Sequence, residues 1–345
     1  MEKTMKGIYY DGKDALYRED IPMPVQKAGE SLVKIRMCAV CNTDKEVRKG
    51  YRPDFRGVMG HEFVGEVLDS PVKDLIKKRV VGELNAACGK CIYCKTGRPT
   101  HCDSRRVLGM SDKDGAFAEY MTIDTDLLHV IPDGLPDEIA IFTEPLAAAL
   151  EILTQIHIFP ISALLFTHKR VCGKQRADTN LAIENFNFQS SSDKNAAVLG
   201  DGRLALLTAQ VLALTGIDLT VIGKHPEKLE LFKPFAKVVT QGEREGYEYV
   251  AECTGSETGL PSALELVRKK GTVILKSTYA GKLSLDMSMV AVNEITIVGS
   301  RCGPFEPALK LLLEGKVKLP PIELYDLMDF EKAFASRAFK AGFTV

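Results

Sequence analysis

Residues 196–223 read AAVLGDGRLALLTAQVLALTGIDLTVIG, and the fold class turns on how this stretch is read. A short apolar strand runs into Gly200-Asp201-Gly202-Arg203-Leu204-Ala205, which matches G-x-G-x-x-G/A, and an apolar helix and a second strand follow. Strand, glycine turn, helix and strand make a βαβ unit. Gly200 forms the tight turn, and Gly202 lets a pyrophosphate approach the backbone N–H groups at the start of the helix. A turn that merely needs φ > 0 gives the same letters in isolation, but the strand before and the helix after favour dinucleotide binding.

About twenty residues on, folds of this kind that take NAD carry an acid against the ribose 2′-OH. This chain has Gly223-Lys224-His225 there, so the electrostatics favour NADP over NAD. Strands predicted at 249–253, 272–276 and 295–299, with a helix at 262–269, continue the alternation and predict an α/β domain with a doubly wound parallel sheet.

Upstream the pattern changes. SLVKIRM at 31–37, FVGEVL at 63–68 and LLHVIP at 127–132 alternate as strands between Pro, Gly and Asp, and residues 136–153 read as one helix. In this β-rich half, Cys88, Cys91, Cys94 and Cys102 give C-x2-C-x2-C-x7-C, with Gly89 and Gly97 for tight turns. Four thiolates so close enclose one tetrahedral Zn²⁺ and leave no open position, which predicts a structural site. An iron–sulfur cluster is the rival; the Cys94–Cys102 gap and the lack of a proline after Cys102 count against it.

A second, dispersed set comprises Cys41 in CNTD, His61 and Glu62 in GHEFVGEV, and Glu144 in TEPLAAALE. A lone histidine or cysteine is usually a packed core residue. Together, however, one thiolate, one imidazole and one carboxylate from separate elements meet the needs of a catalytic zinc, which keeps one position free. Cys38 and Cys41 also spell C-x-x-C, but the alternation places Cys38 in the apolar face of a strand, and no thioredoxin-like pattern surrounds it. Cys172, Cys253 and Cys302 read as packing residues.

These motifs, in this order, resemble the zinc-containing medium-chain alcohol dehydrogenases, including their sorbitol and threonine dehydrogenase relatives. The resemblance runs from about Lys6 to Gln155 and from about Asn195 to Leu327, and also takes in DGAFAEY, ECTGS and KSTYAG. It implies a GroES-like β-rich catalytic domain built from both chain ends, with a Rossmann domain between them. Boundaries follow at 1–155, 195–299 and 300–345, with 156–194 as an atypical insertion. It further implies Cys41, His61 and Glu144 as catalytic zinc ligands and Glu62 as a carboxylate able to exchange with one of them. Thr43 falls where the family relays the substrate proton, Asp44 where it orients the zinc site, and Cys253, Thr254 and Gly255 where the nicotinamide half passes. The implied reaction is reversible hydride transfer between an alcohol and NAD(P), with a polyol favoured by the glutamate ligand.

The chain departs from the family in three places. Residues 161–192 show no period, cap or motif, and read as a disordered insertion or as sequence retained from an unspliced gene. Residues 334–345 do not give the usual final strand. Ala205 replaces the third glycine, a change the fingerprint permits.

Composition bounds the rest. At about 150 residues per domain, 345 residues allow two domains. Lys plus Arg (45) nearly cancels Asp plus Glu (46), and no basic stripe accompanies the cysteine lobe, which argues against a nucleic-acid partner. No apolar run in the N-terminal region is long enough for a signal peptide or membrane span, so the expectation is a cytosolic protein. The expected partners are a small alcohol or its aldehyde or ketone and, from the family, further copies of the chain as a dimer or tetramer. Two rivals differ in metal content: a zinc-stapled nucleotide-binding regulator without catalysis, and a zinc-free reductase of the same superfamily.

Overall fold

A computed structural model describes residues 3–156, 194–278 and 283–345. The aperiodic segment 161–192 and Cys172 lie outside the described residues. The chain divides into two compact units, residues 1–144 with 308–345, and residues 145–307.

The first unit is β-rich. Its largest sheet has seven strands, in the order Leu128–Val130, Arg79–Gly82, Glu62–Asp69, Glu30–Ala39, Lys340–Thr344 and Ile322–Asp326, with Tyr120–Asp124 also pairing on Glu30–Ala39. Glu30–Ala39 is central because its apolar residues fill the interior: Val33, Ile35 and Cys38 are fully buried and belong to one core with Phe117 and Phe343. Cys38 is thus a core residue, as its place in the alternation predicts.

The chain end corrects the sequence reading. Lys340–Thr344 is a strand, antiparallel to Glu30–Ala39 and parallel to Ile322–Asp326. Lysine, alanine and glycine hide its strand character, because its stability comes from neighbours on both sides and from Phe343, whose ring meets Phe117 edge-on at 5.2 Å. The single helix expected at 136–153 is also corrected: it is three short ones, Asp137–Ala140, Thr143–Leu150 and Ile152–Gln155. Pro145 has no N–H to bond back to residue 141, so the chain restarts there, with proline tolerated in the first turn.

The second unit carries a six-stranded sheet in the order Lys237–Val239, Asp218–Ile222, Asn195–Leu199, Tyr247–Glu252, Val267–Leu275 and Thr296–Gly299, with every pairing parallel. The helix expected at 262–269 ends at Leu266, since Val267 is buried and pairs with Tyr247 in the sheet. Helix Arg203–Ala213 begins directly after Gly202, as the glycine pattern requires.

Candidate metal and dinucleotide sites

The strand Glu30–Ala39 delivers Cys41 to the start of helix Asn42–Glu46, and the strand Glu62–Asp69 begins at the second residue of His61-Glu62. Ala39 pairs with Glu62 across these strands. One ligand atom each from Cys41, His61 and Glu62 therefore lie within 4.8 Å of one another, with His61 and Glu62 buried. Thiolate, imidazole and carboxylate at that separation suit a divalent zinc ion.

Asp44 organises the group. Its carboxylate is fully buried; one oxygen accepts from the Cys41 backbone N–H at 2.8 Å and the other lies 3.3 Å from His61 Nδ1. His61 Nδ1 thus faces a buried carboxylate, the kind of outer-shell partner that orients a metal-ligating histidine. Burial alone would drive His61 towards its neutral form, but the Asp44 charge outweighs it and holds the ring well above its ordinary value. Thr43 Oγ1 lies 3.7 Å from Cys41 Sγ.

Glu144, implied as the third ligand by the resemblance, borders this trio: its carboxyl feels the charges of Glu62, His61, Lys340 and Asp44. Burial, and then the Glu62 carboxylate, push Glu144 up to about 7. The residue that sequence reasoning misses is Lys340. Its ammonium is buried, ion-pairs with Glu62 and lies 5.9 Å from the centre of the Phe142 ring. No local signal marks it, because 278 residues separate it from its partner.

The four cysteines of the lobe also converge within 4.8 Å. Cys91 and Cys94 sulfurs are 3.5 Å apart, and the Cys88 backbone N–H donates to the Cys102 sulfur at 3.2 Å. Backbone N–H groups of Cys94 and Asp103 lower the Cys91 thiol to about 6, while burial raises Cys94 to about 12. Donors aimed at sulfur favour thiolate, the metal-binding form. Gly89 and Gly97 hold φ of 71° and 76°, so the tight turns expected of them are present.

In the second unit, Gly200 adopts φ 128°, and a Cβ there would stand 2.7 Å from the Cys253 carbonyl oxygen. That close approach brings the glycine loop against Cys253 and Thr254, with Gly255 next in the chain. A Cβ on Gly202 would meet nothing within 4 Å, so the space above the helix start is open to a phosphate. Arg203 and Leu204 form the first turn of the helix, half-buried. Two buried polar residues here also escape sequence reasoning. Glu252 accepts from the Thr254 backbone N–H at 2.8 Å, and Lys276 Nζ donates to the Ala148 carbonyl at 2.7 Å and to Ser300 Oγ at 2.9 Å. Beside Gly223 the structure supplies an acid that the local sequence lacks. Asp201 Oδ2 accepts from the backbone N–H groups of Lys224 and His225 at 2.7 and 2.9 Å, and from His225 Nδ1 at 2.9 Å.

A chain that builds both a three-donor metal cradle and a dinucleotide loop is equipped for oxidoreductase chemistry. Residues 27–133 match the alcohol dehydrogenase GroES-like domain family, and residues 204–314 the zinc-binding dehydrogenase family. The chain is 27% identical to a sorbitol dehydrogenase from Halalkalibacterium halodurans, over 94% of this chain and 92% of that one. Among solved structures, it resembles a zinc-binding dehydrogenase from Sinorhizobium meliloti 1021 bound to NADP, with TM-score 0.81, 22% identity and full coverage of both chains. It also resembles an acetophenone reductase from Geotrichum candidum in complex with NAD, with TM-score 0.81, 21% identity, and 100% and 98% coverage. The chain belongs to the zinc-containing medium-chain alcohol dehydrogenase family.

Proposed function

We propose that this chain is a zinc-dependent NAD(P) oxidoreductase that interconverts an alcohol of polyol type with its carbonyl compound. The observation that carries the reading is the convergence of Cys41, His61 and Glu62 within 4.8 Å, oriented by the buried Asp44. Cys41 and His61 would hold the catalytic zinc together with a carboxylate from Glu144 or Glu62, the two able to exchange. Zinc at such a site supplies the Lewis acidity that lowers an alcohol's pKa and polarises a carbonyl.

The chain's own residues do the rest. Asp44 fixes the His61 ring, and Lys340 fixes the Glu62 carboxylate. Thr43, beside the Cys41 sulfur, passes the alcohol proton onward. Gly200 and Gly202 would seat the pyrophosphate, and the run from Cys253 to Gly255 would line the nicotinamide half. A bound nicotinamide would supply the hydride acceptor for the alcohol carbon. The four cysteines would hold a second, structural zinc. In this reading 1–155 and 300–345 form the catalytic domain and 195–299 the dinucleotide domain. The sorbitol dehydrogenase relative supports a polyol substrate.

The protein is proposed to work as a homo-oligomer, dimer or tetramer, in the cytoplasm. Exposed Met287 and Val292, on the helix preceding the sheet-edge strand Thr296–Gly299, support association. No helix among the described residues is long and apolar enough to cross a membrane.

Metal analysis together with a panel of alcohols and aldehydes, assayed separately with NAD and NADP, tests the reading. Two zinc ions per chain and turnover of a polyol are expected. One zinc and no turnover would leave a nucleotide-binding regulator.

A further inference from the structure

The local sequence leaves the end of the second sheet strand without an acid, yet the fold puts one there from another loop. Strand Asp218–Ile222 ends at Gly223, where dinucleotide folds that take NAD place the carboxylate for the adenosine ribose. Gly223 has no room for such a side chain: its Cβ would stand 2.8 Å from Asp201 Cβ and 2.9 Å from Asp201 Oδ2. The space is filled by Asp201, the middle residue of the Gly200-Asp201-Gly202 turn. Only 11% of its side chain is exposed.

From this geometry we infer that Asp201 is the specificity-determining residue for the adenosine ribose and disfavours a 2′-phosphate, making NAD the preferred cofactor. The inference rests on the dinucleotide-binding reading above.

Two effects act together. The backbone N–H groups of Lys224 and His225 are the donors that would grip a 2′-phosphate at the end of this strand, and both already donate to Asp201 Oδ2. The Asp201 carboxylate also adds a fixed negative charge beside the incoming one. Its low pKa, held down by His225 and these N–H groups against the cost of burial, keeps it ionised. Opposing it are Lys224, His225 and Lys228. Lys224 is exposed, His225 is itself paired with Asp201, and Lys228 stands 4.0 Å from Asp201 Oδ1. The exposed Lys224 ammonium is screened by solvent and Lys228 already pairs with Asp201 itself, whereas the carboxylate is held by three donors. The NADP preference expected from Lys224 presupposed that no acid was present, and Asp201 removes that premise.

Titration of the purified full-length protein with NADH and NADPH, followed by nicotinamide fluorescence, tests the assignment. NADH is expected to bind about tenfold or more tightly than NADPH, the scale of one charge-assisted contact. Asp201→Asn keeps the side-chain size and removes the charge, and is expected to narrow that ratio by about tenfold, chiefly through tighter NADPH binding. Asp201→Gly opens the space completely and should narrow it further. Tighter binding of NADPH by the unaltered protein would overturn the assignment while leaving the dinucleotide reading intact, as would a ratio unchanged in both variants. Failure of either nucleotide to bind would overturn the dinucleotide reading itself. The unaltered protein's ratio decides the matter even if a variant does not fold.

Discussion

The two metal clusters are built by opposite means. The cysteine lobe draws all four ligands from fifteen consecutive residues, 88–102, and little around it is deeply buried. The Cys41–His61–Glu62 trio draws on two sheet strands and is sealed at its far side by Lys340 from the end of the chain. A local cluster depends on its metal for its shape, whereas a dispersed one inherits its shape from the sheet and can spend its metal on chemistry. Loss of ligand in the lobe should therefore appear as lost structure, and in the trio as lost activity.

The largest effect is expected in the lobe. Structural zinc contributes on the order of 10 kcal/mol to the folding of small zinc modules, so Cys102→Ser should release one zinc and turn residues 88–102 into a protease-sensitive loop. Limited proteolysis with zinc counting checks this; an intact, resistant lobe would erase the contrast. Next comes His61→Ala, which should lower kcat/KM by about a thousandfold or more, the kinetic equivalent of losing several kcal/mol of Lewis-acid stabilisation, and also lower stability by leaving the buried Asp44 carboxylate without its partner. Steady-state kinetics alongside thermal melts separate the two outcomes.

Lys340→Met probes whether the sheet truly preforms the trio. It strands the Glu62 carboxylate in the interior, which should destabilise the protein by about 3 kcal/mol, read from urea unfolding, with Lys340→Arg restoring most of the loss. A Lys340→Met protein as stable as the original would mean that Glu62 does not need its buried partner.

The smallest effect lies outside both clusters and serves as a control. Burial raises Glu151 to about 7 against partial relief from Thr154 and Lys276. A carboxyl whose pKa is higher folded than unfolded contributes stability at low pH and loses it as pH rises from its ordinary value of 4.5 to about 7. Glu151→Gln should therefore stabilise the protein at pH 8 by about 1 to 3 kcal/mol and make little difference below pH 4.5. Melting curves across that range check the sign; stabilisation that grows on acidification would contradict it.

Much of this was legible in the chain itself. Gly200-Asp201-Gly202 between a strand and a helix, and four cysteines at short spacing, carry their geometry in a few consecutive dihedral angles, so spacing alone fixes the distances. The same holds for Cys38, whose place in an alternating strand makes it a core residue. Two readings went astray where tertiary pairing overrode local character, the last strand and the surrender of Val267 to the sheet, while the break in the helix at Pro145 was a local signal passed over.

What only the folded molecule decided is which distant charges meet. Gly342 pairs with Ala39, and Ala39 with Glu62, so strand register carries Lys340 to Glu62. A tight loop likewise lays Asp201 over Gly223. The residue types present were set by the sequence. Their partners were set by sheet register and loop approach, which sum many weak packing choices along the chain and are written in no single motif.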